Sequence, residues 1–262
     1  MVARIVSTRN TMSMSLPLDY LPATDLLHEQ VILITGAGDG IGSAVARCLA
    51  KHGASVVLLG RTVKKLEAVY DSIEAAGGPT PAIFPMDLLR ATPDDTARLG
   101  EGIHKTFGRL DGVLHNASVL GQMAMLAHYE PQTWLEVMQV NVNASFLLTT
   151  TLMPLLERAE DARVIFTSAG VGRQGRAHWG AYSVSKFATE GMMQILAQET
   201  QSAGRIKVMS INPGATRTQM RAAAFPAEDP NTLRTAEQIA PAYLYLFGPL
   251  GSALHGQTLD AQ

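Results

Sequence analysis

Tyr182 and Lys186 stand four residues apart in the run Y-S-V-S-K, a spacing that puts both side chains on one face if the segment is helical. A free phenol titrates near pH 10 and exchanges protons poorly at neutral pH, whereas a neighbouring ammonium favours its phenolate. The pair is therefore a candidate acid–base device in which Lys186 lowers the tyrosine pKa. Ser168 and Asn116 each follow a short β-branched or apolar run, so both fall at expected strand ends. A third cluster, Thr35-Gly36-Ala37-Gly38-Asp39-Gly40-Ile41-Gly42, joins the apolar run VILIT to the helical run SAVARCLA. A glycine-rich turn that opens a helix offers free amides and the positive end of the helix dipole to a pyrophosphate. A tight turn that binds nothing would look similar.

Where the second expected strand ends, a reader of a ribose 2'-hydroxyl would be Asp or Glu, and the chain instead has Gly60-Arg61. Arginine there pairs with a 2'-phosphate, with Thr62 and Lys65 in reach to assist, so NADP is expected ahead of NAD. Asp39 in the glycine loop would oppose that phosphate. Asp87, next to Leu88 after the third strand, is either an adenine contact or the cap of the following turn.

The elements that must position these residues alternate. Strand patterns run over 30–35, 55–60, 82–85, 111–115, 162–168, 205–211 and 255–260, with helical periods at 41–52, 62–76, 94–107, 131–157, 181–203 and 235–247. Such alternation builds an α/β fold, a single Rossmann-like doubly wound parallel sheet of about seven strands with helices on both faces. In that fold ligands bind at the carboxyl ends of the strands, where Asn116 and Ser168 are expected. Residues 1–29 carry Arg4 and Arg9 without core periodicity and are expected to form a loosely ordered leader, either a targeting peptide or sequence ahead of a later start at Met12 or Met14.

A net charge of -2 without long like-charge runs removes the basic footprint of a nucleic-acid binder, and no apolar run reaches membrane-spanning length, so the expected partner is a small molecule. One cysteine, Cys48, allows no intrachain disulfide and suggests a cytoplasmic protein. The seven histidines lack the paired spacing of a metal site, and no metal is expected. His115 and His178 border the expected crevice, as substrate contacts or as satisfied imidazoles.

The order T-G-x-x-x-G-x-G at 35–42, H-N-A-S at 115–118, Asn141 in VNVNASF, Ser168, Y-S-V-S-K at 182–186 and P-G-A-T-R-T from Pro213 resembles the short-chain dehydrogenase/reductase family over nearly all of residues 30–260. Within it, the stretches LDGVLHNAS and NPGATRTQM are similar to the YciK-type bacterial oxidoreductases. The resemblance implies an NADP-binding catalytic domain over 30–262 and hydride transfer between nicotinamide and a carbonyl or alcohol carbon. It implies Tyr182 as acid or base, Ser168 orienting the substrate oxygen, Lys186 on the nicotinamide ribose, and Asn141 anchoring a water. Cofactor contacts are implied at Gly36, Asp39, Gly40, Ile41, Gly42, Arg61, Asp87, Leu88, Asn116, Ala117, Tyr182, Lys186, Pro213, Gly214, Thr216 and Thr218. Two departures stand out: Ser118 replaces the usual glycine of N-N-A-G, and Ser168 precedes Tyr182 by fourteen residues rather than the usual thirteen, which would fall on Ala169. A non-catalytic NADP-binding sensor or scaffold of the same fold is the alternative. Apolar residues on the helix from Pro131 and on the one carrying Tyr182 exceed what the sheet needs, so a homotetramer or homodimer is expected.

Overall fold

The computed structural model describes residues 14–262. Strands β1 (Met14–Ser15), β2 (Val31–Thr35), β3 (Ser55–Gly60), β4 (Ala82–Pro85), β5 (Gly112–His115), β6 (Ala162–Thr167), β7 (Ile206–Asn212) and β10 (Thr258–Asp260) form one parallel sheet in the order β1-β10-β7-β6-β5-β2-β3-β4. Strands β8 (Thr216–Arg217) and β9 (Arg234–Thr235) make a separate two-stranded pair. The helices are α1 (Gly40–Lys51), α2 (Val63–Ala75), α3 (Pro93–Phe107), α4 (Pro131–Met138), α5 (Ala144–Leu156), α6 (Gly180–Thr200), α7 (Gln219–Ala224) and α8 (Ala236–Phe247). The expected doubly wound architecture is observed.

Side-chain alternation divides the core. Ile32, Ile34, Val56, Leu58, Leu114 and Ile165 face the layer of α1, α2 and α8, while Val31, Leu33, Val57, Leu59, Val113 and Val164 face that of α3, α5 and α6. Because both faces are covered, β2 is buried along its whole length. Helix ends follow their sequence signals. Thr92 and Asp95 form a capping box with Pro93 at the first turn of α3, and Gly108 closes that helix at φ 72°.

Two features differ from the sequence expectation. Among the described residues the sheet has eight strands rather than about seven, because β1 pairs with β10 through Met14–Leu259 and Ser15–Asp260. The loose leader is therefore corrected from residue 14 onward: Leu16 and Leu27 are buried, the Leu27 amide donates to the His52 carbonyl at 2.8 Å, and Tyr20 packs edge-on against Tyr245. Its earlier part, with Arg4, Arg9 and Met12, lies outside the described residues. The expected single helix over 131–157 is also interrupted, since Gln139–Asn143 forms a π-helical turn between α4 and α5.

The chain runs outward from β2 through β3 to β4 and then returns to β5 on the other side of β2. The carboxyl ends of β2 and β5 thus flank the point where strand order reverses, the position at which an open parallel sheet leaves a crevice.

Candidate active site

A cleft of about 860 Å³ opens at that point. Its floor is tied together by Thr35 at the end of β2, whose hydroxyl accepts from the Asn116 amide at 2.9 Å and the Ala117 amide at 3.0 Å. Asn116 completes the tie by donating its side-chain amide to the Thr35 carbonyl at 3.2 Å. The glycine loop then turns into α1. Gly36 has φ 68°, and a Cβ on Gly42 would lie 2.2 Å from the Gly36 carbonyl oxygen, so these two positions pack only as glycine. Gly36, Asp39, Gly40 and Ile41 line the cleft, whereas Gly42 acts behind it by letting the loop close. The start of α1 thus opens on the cleft, where its amides and the positive end of its dipole suit the phosphates of a dinucleotide.

Asp39 caps α1 by accepting from the Gly40 amide at 2.7 Å, and it pairs with Lys65 at 2.5 Å. Lys65, foremost through its hydrogen bond, holds the Asp39 carboxyl below the usual carboxylate range. This pairing answers the expected repulsion of a 2'-phosphate, and it also engages the Lys65 ammonium that was expected to assist Arg61. Arg61 lines the cleft, exposed and without an ion pair among the described residues. Asp87 caps its turn by accepting from the Leu89 amide at 3.1 Å, while it and Leu88 also line the cleft.

On the other side of the cleft stand Ser168, Tyr182 and Lys186. The Lys186 Nζ donates to the Thr167 carbonyl at 2.8 Å and lies 5.5 Å from the centre of the Tyr182 ring. Burial pulls the lysine down to about 8, opposed by Glu190. Burial pushes the Tyr182 phenol up to about 12, opposed by the adjoining Ser118 hydroxyl. The expected lowering of the phenol by Lys186 is thus not what governs it here. The hydroxyls of Ser168 and Ser118 are sealed from solvent without a well-formed hydrogen bond among the described residues, and both residues line the cleft. Leaving a buried hydroxyl unpaired costs about 1–3 kcal/mol, so Ser168 on the cleft wall marks a place suited to an oxygen acceptor.

Asn141 stands behind this wall. In the π-helical turn its side chain accepts from the Val119 amide at 2.8 Å and donates to the Val119 carbonyl and the Ser185 hydroxyl at 3.0 Å each. It holds the segment carrying Ser118 and does not line the cleft. Pro213, Gly214, Thr216 and Thr218 do line it, and Thr218 caps α7 by accepting from the Arg221 amide at 3.1 Å. His115 lies in the core, stacked on Phe166 with its centroid 4.8 Å away and Nε2 2.9 Å from the Thr149 hydroxyl. Because that hydroxyl donates to the Ser145 carbonyl, His115 Nε2 carries the proton, and its Nδ1 has no partner among the described residues.

Sequence reasoning missed the Thr35 tether, the Ser185 link and the aromatic wall of Trp179 and Phe225. Only Thr35 left a signal, as the first residue of the glycine motif. Gln262 was also missed; its amide donates to the carbonyls of Pro213 at 2.7 Å and Ala215 at 3.2 Å, bracing that loop from the far end of the chain.

Residues 30–229 match the short chain dehydrogenase family. The chain is 51% identical to the oxidoreductase YciK of Escherichia coli (strain K12) over 243 residues, covering 93% of this chain and 96% of that one. A short chain dehydrogenase from Shigella flexneri 2a, solved in complex with NADP, superposes with a TM-score of 0.89 at 51% identity, covering 91% of this chain and 99% of its own. One from E. coli CFT073, complexed with NADPH, gives 0.89 at 51% identity over 92% of this chain and all of the other. With the glycine loop, the switch-point cleft and the Tyr–Lys pair on one helix face, these similarities establish that the chain is an oxidoreductase belonging to the short-chain dehydrogenase family.

Proposed function

We propose that residues 30–262 form an NADP(H)-dependent catalytic domain that transfers hydride between nicotinamide and a carbonyl or alcohol carbon of a small molecule, with Tyr182 as the acid or base. The observation that carries this reading is the convergence on one cleft of the Tyr182 phenol, the Ser118 hydroxyl adjoining it, and the buried Ser168 hydroxyl, which has no partner among the described residues. The glycine loop would hold the pyrophosphate, Arg61 the 2'-phosphate, and Lys186 with the Asn116–Ala117 backbone and the loop from Pro213 the nicotinamide end. When bound, NADPH supplies the hydride. Ser168 orients the substrate oxygen by donating a hydrogen bond, and Ser118 stands beside the phenol as a second donor. A phenol raised to about 12 is protonated at neutral pH, which suits it to deliver its proton from Oη to that oxygen in the reductive direction. Lys186, held against the Thr167 carbonyl, is largely cationic below its value of about 8 and steadies the phenolate that remains. Asn141 keeps the Ser118 segment in register. A cytoplasmic homo-oligomer is the assembly we assign to it.

Tyr182→Phe keeps the packing against Trp179 but removes the transferable proton. Turnover of a carbonyl substrate, followed by NADPH absorbance, is expected to fall by roughly a hundred- to ten-thousand-fold with little change in NADPH affinity. A phenylalanine variant that turns over at the parent rate would remove Tyr182 from the chemistry.

A further inference from the structure

Four arginines lie on the loop before Tyr182 and after the proline–glycine turn, of which Arg176 and Arg221 line the cleft, and the structure divides them. Arg173 is committed to Glu190 at 3.2 Å, Asp260 at 2.8 Å and the Leu259 carbonyl at 2.8 Å. Arg217 donates to the Pro230 carbonyl at 2.6 Å. Arg221 makes two 2.6 Å bonds to Glu228 and lies 3.8 Å over the Phe225 ring. Arg176 lines the cleft with no hydrogen bond or ion pair among the described residues; its guanidinium carbon lies 5.8 Å from the Phe225 ring centre. The acids lining the cleft do not engage it: Asp39 pairs with Lys65, Asp87 caps its turn, and Glu136 accepts from Gln132 at 3.3 Å.

Two cleft-lining guanidiniums are thus left without an acidic partner among the described residues, Arg61 after β3 and Arg176 in the loop after β6. Their strands are three sheet positions apart, roughly 14 Å. Arg61 belongs to the phosphate end of the cleft and Arg176 to the end that holds Tyr182. The loop bearing Arg176 is braced on both sides, by the three Arg173 bonds and by the backbone bridge between Trp179 and Ala124. Next to it Trp179 and Phe225 touch at 5.7 Å between ring centres, and with Met220 and Ala224 they make an apolar wall. A braced cation beside an aromatic wall offers charge-assisted hydrogen bonds to an anion whose apolar body lies on that wall.

We propose that the substrate carries an anionic group, a carboxylate or its equivalent, on a planar apolar body, and that Arg176 takes that group while the reacting oxygen meets Tyr182. This rests on the reading of the cleft as the reductive site, and two separate measurements distinguish the failure of either. In the first, benzoate and its neutral isostere benzamide are titrated against the NADP-loaded protein by quenching of tryptophan fluorescence, in a Trp134→Phe background that leaves Trp179 as the emitter. Benzoate is expected to bind about tenfold more tightly, and Arg176→Gln to erase the difference, whereas Arg217→Gln keeps it. In the second, 4-carboxybenzaldehyde and benzaldehyde are compared as NADPH-dependent substrates, and the kcat/KM ratio is expected to fall about tenfold in Arg176→Gln. NADPH affinity in each variant reports that the cleft is folded. A benzoate preference that depends on Arg176 without turnover of either aldehyde supports the anion site and overturns the reductase reading. Turnover of both aldehydes at equal kcat/KM, absence of saturable benzoate binding, or a preference that survives Arg176→Gln overturns the anion site.

Discussion

Exchanging Arg61 for aspartate reverses the charge at the one cleft-lining cation of the phosphate end that has no acidic partner among the described residues. NADPH affinity, titrated by fluorescence, is expected to weaken about tenfold or more relative to NADH affinity. Equal weakening of the two cofactors would remove Arg61 as the 2'-phosphate partner. His115 makes a different prediction. Burial holds its imidazole down at about 3, against about 6.5 in the unfolded chain. A depressed pKa contributes stability that is full above 6.5 and is lost as pH falls from there toward 3, because only the unfolded chain takes up the proton. Unfolding free energy is therefore expected to drop by about 2–3 kcal/mol between neutral pH and about pH 4.5, and His115→Asn to remove that part of the slope. Denaturant titrations at several pH values measure it, and parallel slopes in the two proteins would refute the assignment. Tyr182 and Lys186 were legible because their relation is local, one helical turn. The Ser118 hydroxyl and the Asn141 amide were less so, since what they touch depends on segments brought together only by folding.

At the scale of elements, the alternation of strand and helix was written in the periodicity of residues 30–262, and the starts of α3 and α8 in their Thr92 and Thr235 caps. The π-helical turn at Gln139–Asn143 was not, because its sequence keeps the apolar period of the helices on either side. Strand β1 was hidden for a related reason: two residues are too short for alternation to register, and their pairing partner lies at the far end of the chain. That element carries stability. Deleting residues 1–25 removes β1, buried Leu16 and the Tyr20–Tyr245 contact, a loss of about 2–3 kcal/mol from Leu16 alone. Thermal unfolding is expected to fall by roughly 4–12 °C for a chain of this size. An unchanged melting temperature would show that the segment from Met14 rests on the domain without holding it.

For the whole molecule, five of the large apolar side chains exposed among the described residues lie on consecutive helices: Leu135 on α4, Phe146 on α5, and Val184, Phe187 and Ile195 on α6. Exposed apolar surface of this kind is characteristic of subunit contacts. Light scattering is expected to return a dimer or tetramer, and Phe146→Asp or Phe187→Asp to shift it toward the mass of one chain; a parent protein that is already monomeric ends the idea. The parallel pairing of β1 with β10 bears on synthesis as well. Among the described residues β1 pairs only with β10, so on the ribosome the edge from Met14 to Leu16 must wait for its partner while more than two hundred residues are added. The β2–β5 half can assemble during that interval, but the sheet's outer edge closes only after Thr258–Asp260 emerges. A nascent chain arrested before that point should be cut by protease within the Leu16 segment, and one released after it should not.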